Sequence, residues 1–416
     1  MRFNKYQPFA FVYFFVNAVA LPFGLTWMVL LGPFFYGWTV VQWKKEVLLP
    51  LAAVLLPFLI AQVLFNEVEL SAYFISLLNL ILLYFFGQAF YTFLQRAADK
   101  DKIFLNLLRV NAWLCLLAIG LYFTPWQEWV WIKQNLTDGV GQFRRLKLFT
   151  YEASHYAMLF VPLFFYFLFH YFFHQYKGNH ILLWVMLLLP LVLSFSIGVV
   201  AALLAALLVT AIIHHRSLLK KRRVFNSLLN LLFIAVVAAA VLFIFFRDNA
   251  LFTRLGNIFS GTDTSGQGRT GDAFILALKI IKEKSEWWGI GPGQLKFVGQ
   301  DIIRSYYLYY TGTPVAIPNA AAETLLVFGW AGFLLRMGLL LFLFFYTKVY
   351  GNYFRLCLFV FMFVYQFTGS FITNAAEYVI WIMAFTNVFR QFDVRRRPQV
   401  PAQAPALATA SSISVS

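Results

Sequence analysis

Apolar stretches long enough to cross a membrane alternate with short basic segments along nearly the whole chain. A spanning helix needs about 20 mainly apolar residues. Runs of that kind lie near residues 47–65, 70–95, 103–124, 153–174, 225–246, 319–346, 356–373 and 376–390. Two more runs are too long for one span. One covers 8–42 and is interrupted near Pro22-Phe23-Gly24; the other covers 181–213 and is interrupted at SFSIG, Ser194–Gly198. Each reads as a pair of helices. The pattern predicts an all-α polytopic integral membrane protein with about twelve transmembrane helices.

The basic segments then set an orientation. WKKE (Trp43–Glu46), RAADKDK (Arg96–Lys102), HHRSLLKKRR (His214–Arg223), TKVYGNYFR (Thr347–Arg355) and DVRRRP (Asp393–Pro398) all fall on one side if the count is twelve. By the positive-inside rule that side is cytoplasmic, and both termini share it. The opposite face receives two long segments, 125–150 and 247–317. The second far exceeds an ordinary connection of about 4–6 residues. The expected organisation is helices 1–9 with their outer loop over residues 1–246, a long periplasmic loop over 247–317, helices 10–12 over 318–392, and a cytoplasmic tail over 393–416. The tail is rich in Pro, Ala and Ser and is expected to be disordered.

Composition agrees with lipid as the main solvent: 61% of the 416 residues are hydrophobic and 12% charged, where a soluble domain has about a quarter charged. The formal charge of +16 is concentrated in the short loops, so it is an orientation signal and excludes nucleic acid as the expected partner. The basic start and first apolar run lack a small-residue cleavage site and read as an uncleaved helix. Cys115 and Cys357 lie inside apolar runs, which gives no disulfide framework. No zinc, Walker or serine-elbow motif is present, so no metal or cofactor is expected. Asp99-Lys100-Asp101 has the Asp-x-Asp form of a metal–nucleotide-sugar site, but its short loop has no domain to hold a nucleotide.

Polar groups that could carry chemistry collect at the outer face. In the first outer loop Arg144, Arg145 and Lys147 precede a helix whose first turns hold Glu152, Ser154 and His155. Glu152 and His155, at i and i+3, share a helix face; interfacial anchoring explains the same residues without chemistry. In the second loop GQGRTGDAFILALKIIKEKSEWWGIGPG, Gly266–Gly293, brings Arg269 into a short amphipathic helix. Asp272 reads as its N-cap, with Phe274, Ile275, Leu278 and Ile281 on the apolar face and Lys279, Lys282, Glu283 and Glu286 opposite. Such a helix suits a membrane surface or the roof of a cavity. Gly289, Gly291 and Gly293 around Pro292 then turn the chain sharply. An arginine near a helix N-terminus suits a phosphate, although an ordinary loop arginine would look the same. Asn319 and Glu323 stand where the loop re-enters the membrane, and Asn374 and Glu377 between the last two spans. Boundary carboxylates are costly and are therefore functional candidates. Arg109 can snorkel, and Arg336 reads as structural.

The layout resembles the lipid-linked polysaccharide polymerases and O-antigen ligases, polytopic GT-C type glycosyltransferases of bacterial envelopes. Four stretches carry the likeness over most of the chain: RRLKLFTYEASHYA, LSFSIGVVAALLAALL, GRTGDAFILALKIIKEKSEWWGIGPG and PNAAAETLLVFGWAGFL. Two positions depart from it. Ile197 stands where many members have Arg, and Pro318 stands where the ligases have a histidine, which favours a polymerase.

The resemblance implies a donor glycan on undecaprenyl diphosphate, a sugar acceptor, contact with membrane lipid, a chain-length regulator as a further partner, and the bacterial inner membrane as location. It implies that Arg269 with Arg144 or Arg145 holds the diphosphate, and that Glu152, His155 or Glu323 accepts the proton of the attacking hydroxyl, in a metal-independent, inverting transfer. Asn319, Asn374 and Glu377 would support the site. A lipid-linked glycan transporter is the rival from another class, but it would place its charges near the midplane and not at one face.

Overall fold

The computed structural model describes residues 6–16, 26–39, 45–134, 143–173, 176–220, 268–307 and 316–394. The run 225–246, the break near Pro22 and the tail after Val394 fall outside the described residues. The described apolar runs are helical, as their pattern predicts. The helices are α1 (Tyr6–Phe15), α2 (Trp27–Leu30), α3 (Gly32–Thr39), α4 (Lys45–Phe65), α5 (Leu70–Arg96), α6 (Lys100–Leu121), α7 (Ala153–Phe172), α8 (His180–Ser194), α9 (Ile197–Ile213), α10 (His215–Lys220), α11 (Gly271–Ile281), α12 (Leu295–Val298), α13 (Gln300–Tyr306), α14 (Ala320–Tyr346), α15 (Tyr353–Tyr365) and α16 (Ala375–Phe385).

Five segments, in α4, α5, α6, α7 and from α14 to Gly351, are long and apolar enough to cross a membrane. The apolar helices α8, α9, α15 and α16 are shorter, at 15, 17, 13 and 11 residues. The architecture is that of a polytopic membrane protein. The break expected at Ser194–Gly198 occurs at Phe195, which takes a left-handed conformation as the C-cap of α8.

The buried centre is α7. Nearly every residue of it is buried, and its Phe, Tyr and Leu side chains meet α8, α9, α15 and α16. In contrast α4 exposes much of its apolar surface, including Leu49, Ile60 and Leu64, and α5 exposes Phe74, Ile75 and Leu78, as helices bathed by lipid tails should.

The helix ends segregate. At one end Asp101 accepts the Tyr166 hydroxyl, Asn352 binds Asp393, Arg355 binds Thr347 and the backbone of Ala384, and Ser217 meets Tyr353. The described basic stretches Arg96–Lys102 and Thr347–Arg355 lie at this end. The other end holds the polar groups picked out as chemical candidates. There the first outer loop forms a 3-10 turn (Pro125–Trp129) and a two-stranded antiparallel sheet of β1 (Trp131–Gln134) and β2 (Phe143–Leu146), which the apolar pattern did not predict.

The glycine turn docks in a way no local signal specifies. Gly289, Gly291 and Gly293 all have positive φ, 72°, 96° and 73°. Helix α14 breaks at Gly329 (φ 64°, ψ −166°). Backbone bonds run from Ile290 to Leu326 and from Gly291 to Val327, and back from Trp330 to Glu286 and from Ala331 to Trp287. The turn thus satisfies the backbone groups freed by the break, which lipid could not do. Helix α4 locks it from the side. The buried Gln62 amide donates to Trp288 O at 2.5 Å and Val327 O at 2.8 Å, and Asn66 to Gly289 O at 2.6 Å. Tyr73 of α5 donates in turn to Gln62.

Candidate active site

Helix α7 begins at the site end, and its N-cap position is Glu152. The preceding turn is compact: the Thr150 hydroxyl bonds the carbonyls of Lys147 and Glu152. Arg269 reaches Glu152 from the long loop, with Nη2 to Oε1 at 3.5 Å and both side chains part-exposed. Thus the first and second outer segments, more than a hundred residues apart, meet through two of the predicted residues.

Asn319 fixes this approach. As N-cap of α14 it accepts from Ala322 N at 2.9 Å, while its amide donates to Arg269 O and Phe367 O, both at 2.8 Å. One buried side chain therefore joins the arginine loop, the start of α14 and the turn after α15.

Arg145 lies on the same side. It is buried and donates from Nε to Ser194 O at 3.0 Å, at the α8–α9 break. The Tyr365 phenol, hydrogen-bonded with Ser154, is within electrostatic reach of Arg269, Glu152 and Arg145. His155 is buried and stacks on Tyr151 at 4.6 Å between ring centroids. Burial, and then the charge of Glu152, push the Tyr151 phenol well above its ordinary range, so it stays a neutral hydroxyl. The same phenol also feels Glu323. Glu323, one turn into α14, accepts from Ile372 N at 2.7 Å.

Behind Glu323 lies a buried polar network. Arg336 pairs with Glu377 and donates to Gln366 Oε1 and Thr324 Oγ1. Ser370, held at φ 66°, donates to the other Glu377 oxygen at 2.8 Å. Asn374 caps α16 through Ala376 N and donates to Ser370 Oγ. Glu377 is thus more than a helix cap. It neutralises Arg336, whose charge could not otherwise remain so deep. Non-glycine residues with positive φ stand around the site at Leu148, Phe195 and Ser370, where backbone strain persists only because the surroundings determine it.

Of Arg144 and Arg145, the two alternatives offered for the diphosphate, Arg145 joins the cluster and Arg144 does not. Adjacent strand residues point to opposite faces, and with Arg145 turned inward, Arg144 lies over the Tyr122 ring at 5.2 Å in a separate recess. The five residues Arg144, Arg145, Glu152, Arg269 and Glu323 therefore do not line one pocket. The buried face of α11 matches the expected one only in part. Ile281 is buried and Phe274 half-buried as expected, and Ala273, Leu276, Ala277 and Ile280 are buried with them, while Ile275 and Leu278 are exposed. Small residues at i and i+4 let α11 approach Ala322, Leu325 and Leu326 of α14 closely, and this contact outweighs side-chain size. Asp272 is not the N-cap; Thr270 holds that position, and Asp272 instead accepts from Tyr306 and Tyr307.

Tyr365, Tyr151 and the Gln62–Asn66 clamp went unread in the sequence. Tyrosine in an apolar helix and a lone amide near a helix end carry no spacing signal. Among the described residues no group of three His, Cys, Asp or Glu side chains could hold a metal ion.

This cluster of paired charges sits at one end of a bundle of apolar helices, five of them long enough to cross a membrane. Residues 181–337 match the family model described as O-antigen ligase, so this segment is similar to that family. The match runs from α8 to Met337 and includes Arg269, the glycine turn, Asn319 and Glu323; Arg145 and Glu152 lie outside it. No curated protein matches the chain. Proteins of this family are membrane enzymes that act on lipid-linked glycans.

Proposed function

We propose that this protein is a glycosyltransferase that polymerises polyprenyl-diphosphate-linked repeat units, with undecaprenyl as the lipid, at the outer face of the bacterial inner membrane. The observation that carries the reading is the Arg269–Glu152 contact, with Arg145 and Tyr365 beside it. A glycosyl diphosphate reacts by losing the diphosphate, on which negative charge develops. Arg269 and Arg145 supply guanidinium donors for that charge. Glu152 accepts the proton of the attacking sugar hydroxyl as the new C–O bond forms and the bond to the diphosphate breaks. A single displacement of this kind inverts the anomeric carbon. Arg269 pairs with Glu152 until the diphosphate enters and competes for the guanidinium. Glu323 and His155 are the other candidate bases, with Asn319, Asn374 and Glu377 as supports.

Pro318 favours polymerase, since proline offers neither acceptor nor donor where the ligases carry histidine. The description of the matching family favours a ligase that transfers a finished glycan to lipid A-core. Purified protein given only lipid-linked repeat units, with excess chelator, separates the two. A polymerase makes a ladder of longer lipid-linked oligomers. Product that forms only when lipid A-core is added would establish the ligase, and dependence on a nucleotide sugar or metal would end both readings.

A further inference from the structure

The recess that holds Arg144 gathers cationic side chains beside an apolar groove. Its wall carries Lys133, Arg144 and Lys147, with Glu128 and Gln127 on the 3-10 turn. Lys133 and Arg144 are direct cross-strand partners, an arrangement in which like charges destabilise the sheet. Burial lowers the Lys147 pKa, a further cost that an anion in the recess would relieve. Among the described residues none of the three cations has a carboxylate within salt-bridge distance, and the described lining sets three cations against one carboxylate, Glu128.

Beside it runs an apolar groove formed by Leu114, Leu117 and Leu121 of α6 with Trp126, Trp129 and Phe149. Leu117, Trp126 and Trp129 are exposed. The groove and the recess share the Pro125–Trp129 turn and the step from Lys147 to Leu148. An apolar channel ending in three cations matches one kind of molecule, a lipid carrying a phosphate or diphosphate.

We infer that this composite site holds the polyprenyl diphosphate of the acceptor substrate, while the Arg145–Arg269 site holds that of the donor. The inference rests on the polymerase reading. In that reaction both substrates are lipid-anchored, but only one reacts at its diphosphate. The acceptor attacks through a sugar hydroxyl far from its own lipid, so its charged end needs a separate seat at the same membrane level. Strand β2 supplies both seats, Arg145 facing one and Arg144 the other. The acceptor glycan then arches from the recess toward Glu152.

The test compares wild type with Lys133→Gln/Arg144→Gln/Lys147→Gln in nanodiscs. Binding of a long-chain polyprenyl diphosphate is measured first, by native mass spectrometry. Two molecules per wild-type protein and one per triple variant are expected; an unchanged stoichiometry overturns the inference, as does equal displacement by phosphatidylglycerol, which would make the site one for bulk lipid. This measurement needs no activity, so it stands apart from failure of the polymerase reading. The second readout is elongation. With a lipid-linked acceptor the triple variant should show KM raised on the order of 10–100-fold, from about three lost headgroup charges. With a lipid-free oligosaccharide acceptor it should match wild type. Equal loss with both acceptors would overturn the assignment, because a damaged fold or donor site would produce it.

Discussion

Gly289 and Gly329 lie backbone against backbone: a Cβ added to Gly289 would meet Gly329 N at 2.5 Å, and one added to Gly329 would meet Trp287 O at 2.4 Å. Both residues have positive φ. The contact ties the long loop to a break in α14, about two turns below Glu323 and Asn319. Each substitution Gly289→Ala and Gly329→Ala should therefore destabilise by at least the ~1–3 kcal/mol of a strained backbone, with a further loss from displaced backbone. Thermal unfolding in detergent measures this, with Gly338→Ala, which meets nothing within 4 Å, as the neutral control. Equal melting of all three variants would contradict the docking.

Arg269→Ala should lower the elongation rate by about 10²–10³ at unchanged protein level, the usual effect of losing one donor to a developing negative charge. Arg269→Lys should recover only part, since an ammonium cannot bind as a planar fork. Near-normal polymer from Arg269→Ala would remove the residue from the reaction.

The base is identified by three isosteric variants. Glu152→Gln keeps the N-terminal position of α7 and removes the proton acceptor; a loss of about 10²–10⁴ is expected. His155→Gln and Glu323→Gln should retain more activity. If Glu323→Gln is the dead variant and Glu152→Gln is active, the base sits at the start of α14 instead.

Arg336 and Glu377 are a buried pair, with side chains 16% and 1% exposed. Removing one partner leaves an uncompensated charge, at a cost of about 3–5 kcal/mol. Arg336→Met and Glu377→Leu should each lower thermal stability sharply, and the double variant should be more stable than either single one. Additive losses in the double variant would show that the charges do not act as a pair.

The orientation is checked by labelling intact cells with an impermeant thiol reagent. Cys115 and Cys357 are buried and give a low background. Thr137→Cys should be labelled from outside and Lys220→Cys should not. The reverse pattern would place the candidate site on the cytoplasmic side.

The apolar pattern by itself determined that this chain is a helical membrane protein, and the spacing of its basic segments predicted which helix ends belong together, because a bilayer tolerates only hydrogen-bonded helices and sorts positive charge. The sequence also supplied Glu152, Arg269, Asn319 and Glu323, since a charged or capping residue at a span boundary stands out against Leu and Phe. It could not say that Glu152 and Arg269 touch, because that contact is made by loops from distant parts of the chain. Nor could it choose between Arg144 and Arg145. The alternation along a strand says that two neighbours face apart, but only the packing of β2 against the α8–α9 break decides which one faces inward. For α11 the large residues gave only part of the buried face, Phe274 and Ile281, and the alanines turned it away from Ile275 and Leu278, because the partner helix sets how closely backbones approach. Tyr365, Gln62 and Asn66 left no trace in the pattern; each is an ordinary residue in an apolar helix until the turn it serves arrives from elsewhere in the fold.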